Sequence, residues 1–166
     1  DLNQGVQAVC RLPEVLAVVG ELIGERFFLS QVEGREPLLG GGHQTLHRDL
    51  SAMRLGDTVM AIVYFDDYGP ANGATRIVPA SHRPTPGEPL FDFTDESQSV
   101  QLCGNAGDVL VFDADLVHAA SLNHHGARRR TILIGYFAEP LYAGHLATAK
   151  LRSVQMDTSD RFDPLE

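Results

Sequence analysis

The triplet His47-Arg48-Asp49 places an imidazole and a carboxylate two residues apart. In an extended segment residues i and i+2 point to the same face, so one short stretch can offer both groups to one metal ion. A third ligand has to come from a distant part of the chain, and His118 is the candidate. Two histidines and one carboxylate on one face of an octahedral ion leave three positions open, an arrangement suited to oxygen-activating iron(II). A His-x-Asp triplet alone arises often by chance, and the chain has seven histidines to supply accidental partners.

Arg129 adds weight. It lies eleven residues beyond His118, past a turn of Asn123, His124, His125 and Gly126, where an apolar stretch begins. An arginine opening a buried strand needs an anion, because an unpaired guanidinium in a core costs several kcal/mol. A dicarboxylate that chelates the metal at one end and reaches the arginine at the other supplies that anion, and the planar guanidinium suits bidentate carboxylate binding. The opposing reading makes Arg128, Arg129 and Arg130 a solvated charged turn, although strand alternation still turns one of the last two inward.

These residues need a scaffold. From Pro13 the residues Val15, Val18, Val19, Leu22 and Ile23 recur at helical spacing, with Pro13 suited to a first turn and Glu14 complementing the helix dipole. The stretch that follows, through Gly34 and the run Gly40-Gly41-Gly42, has the composition of turn and loop. Beyond about residue 56, short segments rich in β-branched and aromatic residues alternate with Gly, Pro, Asn and Asp. Strands are expected at Thr58 to Phe65, Thr75 to Val78, Ser99 to Leu102, Val109 to Phe112, Leu116 to Ala120 and Thr131 to Phe137. Such a series predicts an antiparallel sandwich or jelly roll with a flanking N-terminal helix. Arg83 to Ser97 reads as a surface excursion near a barrel mouth, and residues 141–166 as an irregular tail that need not join the core.

At 166 residues and 43% hydrophobic content, the chain suits one domain, 1–166, with one core. With 13 basic and 22 acidic side chains the net charge is −9, which disfavours nucleic acid and anionic membrane as partners. Cys10 and Cys103 lack the spacing of a zinc site or a disulfide scaffold and are expected to be buried free thiols. With no apolar stretch of membrane-spanning length, a cytoplasmic protein is expected. The chain begins at Asp1 rather than methionine, which leaves room for an N-terminal piece outside it.

Taken together, His47-Arg48-Asp49, then Asn72-Gly73-Ala74-Thr75-Arg76-Ile77-Val78-Pro79-Ala80-Ser81-His82-Arg83, then Gly107-Asp108-Val109-Leu110-Val111-Phe112, His118, Asn123 and Arg129 resemble the phytanoyl-CoA dioxygenase family in order and spacing. The resemblance covers roughly residues 43 to 138. It implies a mainly β, cupin-like double-stranded β-helix, with His47, Asp49 and His118 as ligands of Fe(II) and Arg129 binding the distal carboxylate of 2-oxoglutarate. The implied activity is hydroxylation of a small-molecule substrate by O2 with release of succinate and CO2. Related halogenases carry a small apolar residue where this chain has Asp49, so the carboxylate argues for hydroxylation.

Three departures stand out. The family commonly has a serine two residues after the distal histidine, where this chain has Ala120; Thr131, on the face of Arg129, is the expected substitute. Ala80 replaces a usual glycine and should alter only a turn. The N-terminal region is reduced to one helix and some loop. His43 and Gln44 precede the metal motif and could touch cosubstrate or substrate, His82 reads as structural, and His124, His125 and His145 as surface residues. Arg54 and Arg76 could meet an acidic substrate, though such arginines usually pair with neighbouring acids. The alternatives are a cupin-like metal enzyme that does not use 2-oxoglutarate and an inactive jelly-roll binding domain.

Overall fold

The segment TVMAIVY is buried at every position, and a strand apolar on both faces has to lie inside a sheet with cover on each side. In the computed structural model of the chain, which describes residues 3–49, 53–83, 87, 91–152 and 155–164, this segment is β2 (Thr58–Tyr64). The other strands in chain order are β1 (Phe27–Arg35), β3 (Thr75–Ile77), β4 (Val100–Gln101), β5 (Val109–Asp113), β6 (His118–Ala120) and β7 (Thr131–Ala138). Helices α1 (Gln4–Val9) and α2 (Pro13–Ile23) precede them, and α3 (Tyr142–Ala147) follows. The strands form two antiparallel sheets, β1-β7-β2-β5 and β4-β3-β6. This is the expected mainly β, jelly-roll architecture.

Alternation along the large sheet divides its residues between two environments. Val59, Ala61 and Val63 of β2 and Ile132, Ile134 and Tyr136 of β7 join Val15, Val19 and Ile23 of α2 in one apolar cluster. Met60, Ile62 and Tyr64 point to the opposite face and pack with Phe112 and Ala114. That second face is the lumen, toward which the small sheet is tied by the Tyr64 hydroxyl, 2.9 Å from the Thr75 hydroxyl. Helix α2 begins with Pro13 and ends at Gly24, whose φ of 73° caps it in the left-handed conformation. Val18 and Leu22 fall on its solvent side.

The structure differs from the sequence reading in five places, the first being α1, a second N-terminal helix where one was expected. Residues 27–35, read as loop, form the nine-residue strand β1. Its alternation is hidden because a register shift between Leu29 and Gln31 interrupts the pairing with β7, leaving Phe27 through Ser30 buried in succession. Cys103 is exposed, whereas Cys10 is buried as expected, and burial raises the Cys10 thiol to a pKa of about 11. The tail is not wholly irregular: α3 follows a 3-10 turn at Glu139–Leu141, and Phe162 pairs with Phe27 through two 3.0 Å backbone hydrogen bonds. Finally, His145 is buried against Phe28, with ring centroids 5.1 Å apart. Of the expected surface excursion at Arg83 to Ser97, residues 84–86 and 88–90 lie outside the described residues.

Two turns of the central motif show opposite uses of the left-handed backbone. Gly73 has φ of 81°, and a Cβ there would lie 2.5 Å from the Ser121 carbonyl oxygen. Ala80 has φ of 62°, so this alanine occupies a conformation in which glycine costs less. Gly73→Ala should therefore lower unfolding free energy by at least ~2 kcal/mol. Ala80→Gly should raise it by up to ~1 kcal/mol. Urea titrations read both, and equal signs would contradict the backbone assignment.

His145 also makes a pH prediction. Burial first, and the positive charge of Arg152 second, hold its pKa below the ordinary histidine value, and its Nε2 is buried without a hydrogen-bond partner among the described residues. Burial lowers the pKa of His118 in the same direction. The unfolded chain consequently takes up protons first as pH falls, so stability is fully present above roughly pH 6.5 and declines below it toward the folded-state values. Without added metal, the urea midpoint should be lower near pH ~5.5 than near pH ~7.5, and His145→Phe should shrink that difference. An undiminished difference in the variant would clear His145 of the effect.

Candidate metal centre

The backbone brings the two histidines together. His47 N–H donates to the His118 carbonyl and His118 N–H to the His47 carbonyl, both at 3.0 Å. Directly opposed residues of an antiparallel pair present their side chains on the same face, and the two imidazole centroids are 4.5 Å apart. Asp49, two residues along an extended segment, turns to that face as well, its own N–H donating to the Ala114 carbonyl at 3.0 Å. Its Oδ1 lies 3.6 Å from His47 Nε2 and its Oδ2 3.5 Å from His118 Nε2. One ligand atom from each residue lies within 4.8 Å of the others, close enough to share one ion.

The ring orientations suit a metal. His47 Nδ1 is 2.8 Å from the Thr45 carbonyl and His118 Nδ1 is 2.8 Å from the Leu116 carbonyl. A carbonyl only accepts, so each Nδ1 carries the proton and each Nε2 keeps its lone pair for an ion. Burial disfavours the imidazolium form of His118, and ligation requires the neutral ring.

The intervening Arg48 points elsewhere, donating from Nε to the Asp115 carbonyl at 2.9 Å and from Nη2 to the Ser81 carbonyl at 2.8 Å. The Ser81 hydroxyl in turn accepts from Val117 N–H at 2.8 Å. The turn at residues 79–82 thus braces both ligand-bearing segments.

Arg129 is positioned by two asparagines. Asn123 is fully buried; its side chain donates to the Pro37 and Ala127 carbonyls and accepts from Gly126 N–H, which shapes the turn before the arginine. Asn72 donates to the Arg128 carbonyl, and its own carbonyl accepts from Arg129 Nε at 3.3 Å. The neighbours Arg128 and Arg130 turn outward to Glu36 and Asp66. Arg129 is 5% exposed and forms no ion pair among the described residues. Burial makes its charge less favourable than in water.

One cavity of about 80 Å³ joins these parts: His47, Asp49, His118, Arg129 and Thr131 all line it, together with Ala120. Thr131 is buried there, with its hydroxyl 3.4 Å from the Arg35 carbonyl. Gln44 also lines it, its side-chain oxygen accepting from Ala120 N–H at 3.0 Å. His43, His124 and His125 are exposed. Arg54 pairs with Glu25 and Arg76 with Glu96. Sequence reasoning missed Arg35, which lines the cavity from β1; alternation would have found it had residues 27–35 been read as a strand.

The comparisons with known proteins agree with this geometry. The chain is 32% identical over 107 residues to a dioxygenase, ALT11, of Alternaria alternata, a match covering 59% of this chain and 34% of that one. The chain therefore spans about a third of that relative's length. AviO1 of Streptomyces viridochromogenes Tue57 superposes with a TM-score of 0.67 at 24% identity, over 80% of this chain and 60% of that one. The epimerase SnoN of nogalamycin biosynthesis, solved with Fe3+, alpha-ketoglutarate and nogalamycin RO, superposes with a TM-score of 0.69 at 19% identity, over 99% of this chain and 72% of that one. Residues 4–131 match the phytanoyl-CoA dioxygenase family, so the sequence motif, the jelly roll and this match converge, and the chain belongs to that family.

Proposed function

We propose that the chain is a mononuclear Fe(II)- and 2-oxoglutarate-dependent dioxygenase that hydroxylates a small-molecule substrate, with His47, Asp49 and His118 holding the metal. The observation that carries this reading is the buried Arg129, which has no ion pair among the described residues and lines the cavity of the His-Asp-His cluster. A guanidinium so placed calls for an anion, and a dicarboxylate spanning from metal to arginine meets that demand. The complex of SnoN with Fe3+ and alpha-ketoglutarate supports it.

Bound iron(II) and 2-oxoglutarate would supply O2 activation coupled to oxidative decarboxylation, yielding succinate, CO2 and the oxidising equivalent for a substrate C–H bond. The chain contributes orientation. The two Nδ1–H groups, tied to backbone carbonyls, would leave both Nε2 lone pairs free for one ion. Arg129 would fix the distal carboxylate, and the Thr131 hydroxyl would assist it where Ala120 offers none. Asp49 fills the third protein position, which favours hydroxylation over halide transfer. A metal enzyme that does not use 2-oxoglutarate would have no need of Arg129, and an inactive binding domain no need of three intact ligands.

Anaerobic titration of Fe(II) and then 2-oxoglutarate into the protein should produce the visible charge-transfer absorption of a metal-bound keto acid. Arg129→Ala should weaken 2-oxoglutarate by at least about tenfold while retaining metal. His118→Ala should abolish both. Equal cosubstrate affinity in wild type and Arg129→Ala would remove that arginine from its role, and O2 consumption independent of 2-oxoglutarate would favour the cupin-like alternative.

A further inference from the structure

The cavity closed by Arg129 has a volume of about 80 Å³, well below the roughly 300 Å³ at which pockets for drug-sized ligands begin. Adjoining it at Arg35, Asp49 and Leu133, a cleft of about 270 Å³ is floored by Met60, Leu133 and Phe137. That cleft meets a second one, of about 310 Å³, at Gln31 and Phe137, and the second runs beneath α3 to His145 and Arg152. Together they follow the lumenal face of the large sheet away from the metal, and they are large enough for a substrate.

Their charge is opposite to that of the chain. In a protein of net charge −9, the ionisable side chains lining the two clefts among the described residues are Arg35, His145 and Arg152, with Asp49 the one acid. On the reading above Asp49 is neutralised by the metal. Arg152 is committed to the end of α3, donating to the His145 carbonyl at 2.7 Å and to the Thr148 hydroxyl at 3.1 Å. Arg35 is held differently. Its partner is Glu33, two residues back on the same strand, through Nε at 2.9 Å and Nη2 at 3.1 Å. Both side chains are about half exposed, and an ion pair of that kind contributes little and exchanges readily. Arg35 also lines both the Arg129 cavity and the Asp49 cleft, so an anion on it sits beside the metal.

We propose that the primary substrate is an elongated, partly apolar acid lying along the lumenal face between Asp49 and α3, with its carboxylate taken by Arg35 in exchange for Glu33. This deepens the proposed function and rests on it for the identity of the reaction. Arg35 is thereby a specificity-determining residue, and the carbons nearest the acid group are those presented to the metal.

The test is a ligand-observed 19F-NMR screen of fluorinated arylalkanoic acids against their matched primary amides, on protein loaded with Ni(II) and 2-oxoglutarate. Acids should bind in preference to amides. Arg35→Gln should weaken the acids by roughly tenfold or more and leave the amides unchanged, Arg35→Lys should restore part of the preference, and Glu33→Gln should strengthen acid binding. Equal binding of acids and amides to wild type overturns the proposal. So does an Arg35→Gln variant that loses 2-oxoglutarate affinity but keeps its preference for acids, which would assign Arg35 to the cosubstrate. Failure to load metal and 2-oxoglutarate defeats the oxygenase reading instead, and the acid-to-amide comparison on unloaded protein then still decides the role of Arg35.

Discussion

The pair of backbone hydrogen bonds between His47 and His118 is the constraint on which the site rests. It makes two residues from distant stretches directly opposed, so their rings share a face at a 4.5 Å centroid separation, and it brings Asp49 to the same face two residues later. A slip of one residue would turn one imidazole to the other side and dissolve the cluster. The surrounding polar contacts guard that register. Arg48 holds the carbonyls of Asp115 and Ser81 while the Ser81 hydroxyl holds Val117 N–H, so the segments flanking both histidines are tied to one turn. Residues that touch no ion thereby decide whether an ion can bind.

Charge placement follows from the same alternation. Arg128, Arg129 and Arg130 are consecutive, yet the outer two reach acids at the surface and the middle one is buried. The parity that puts Ile132 and Ile134 against α2 puts Thr131 and Leu133 in the lumen, and Arg129 lies in phase with the latter. Removing Arg129 from the lumen would require shifting β7 against α2, at the expense of the largest apolar cluster among the described residues. The hydrophobic contact of one helix therefore helps to hold a buried cation that the protein itself leaves without a carboxylate among the described residues.

Much of this was legible in the sequence because it depends on short-range periodicity. The strands from Thr58 onward fall within a residue or two of expectation, and the five expected site residues all line one cavity. What sequence could not supply was opposition across the sheet: nothing local states that residue 47 faces residue 118. Strand β1 was hidden for a local reason, since its bulge breaks the alternation and Gly34 mimics a turn. Missing β1 hid Arg35 as well. The burial of His145 depends on α3 folding back onto Phe28, a contact across more than a hundred residues, and the exposure of Cys103 follows from its place outside β4.

The misses in β1 and α3 share a location. The well-read central strands, β2 and β7, are enclosed by the α2 cluster on one side and lumenal packing on the other, so burial stamps a strong pattern on them. Strand β1 is an edge strand, buried along about half its length, and α3 packs against Phe28 and Phe137. Edges carry weaker patterns because solvent accepts many side chains there, and that tolerance is also what lets an edge take on charged and polar residues without loss of the fold. Gln31, Glu33 and Arg35 project from β1 in phase with one another, beside the metal cluster and away from α2. This edge strand thus also borders the cleft at Asp49, and at these positions it can vary in charge without disturbing the register of His47 and His118.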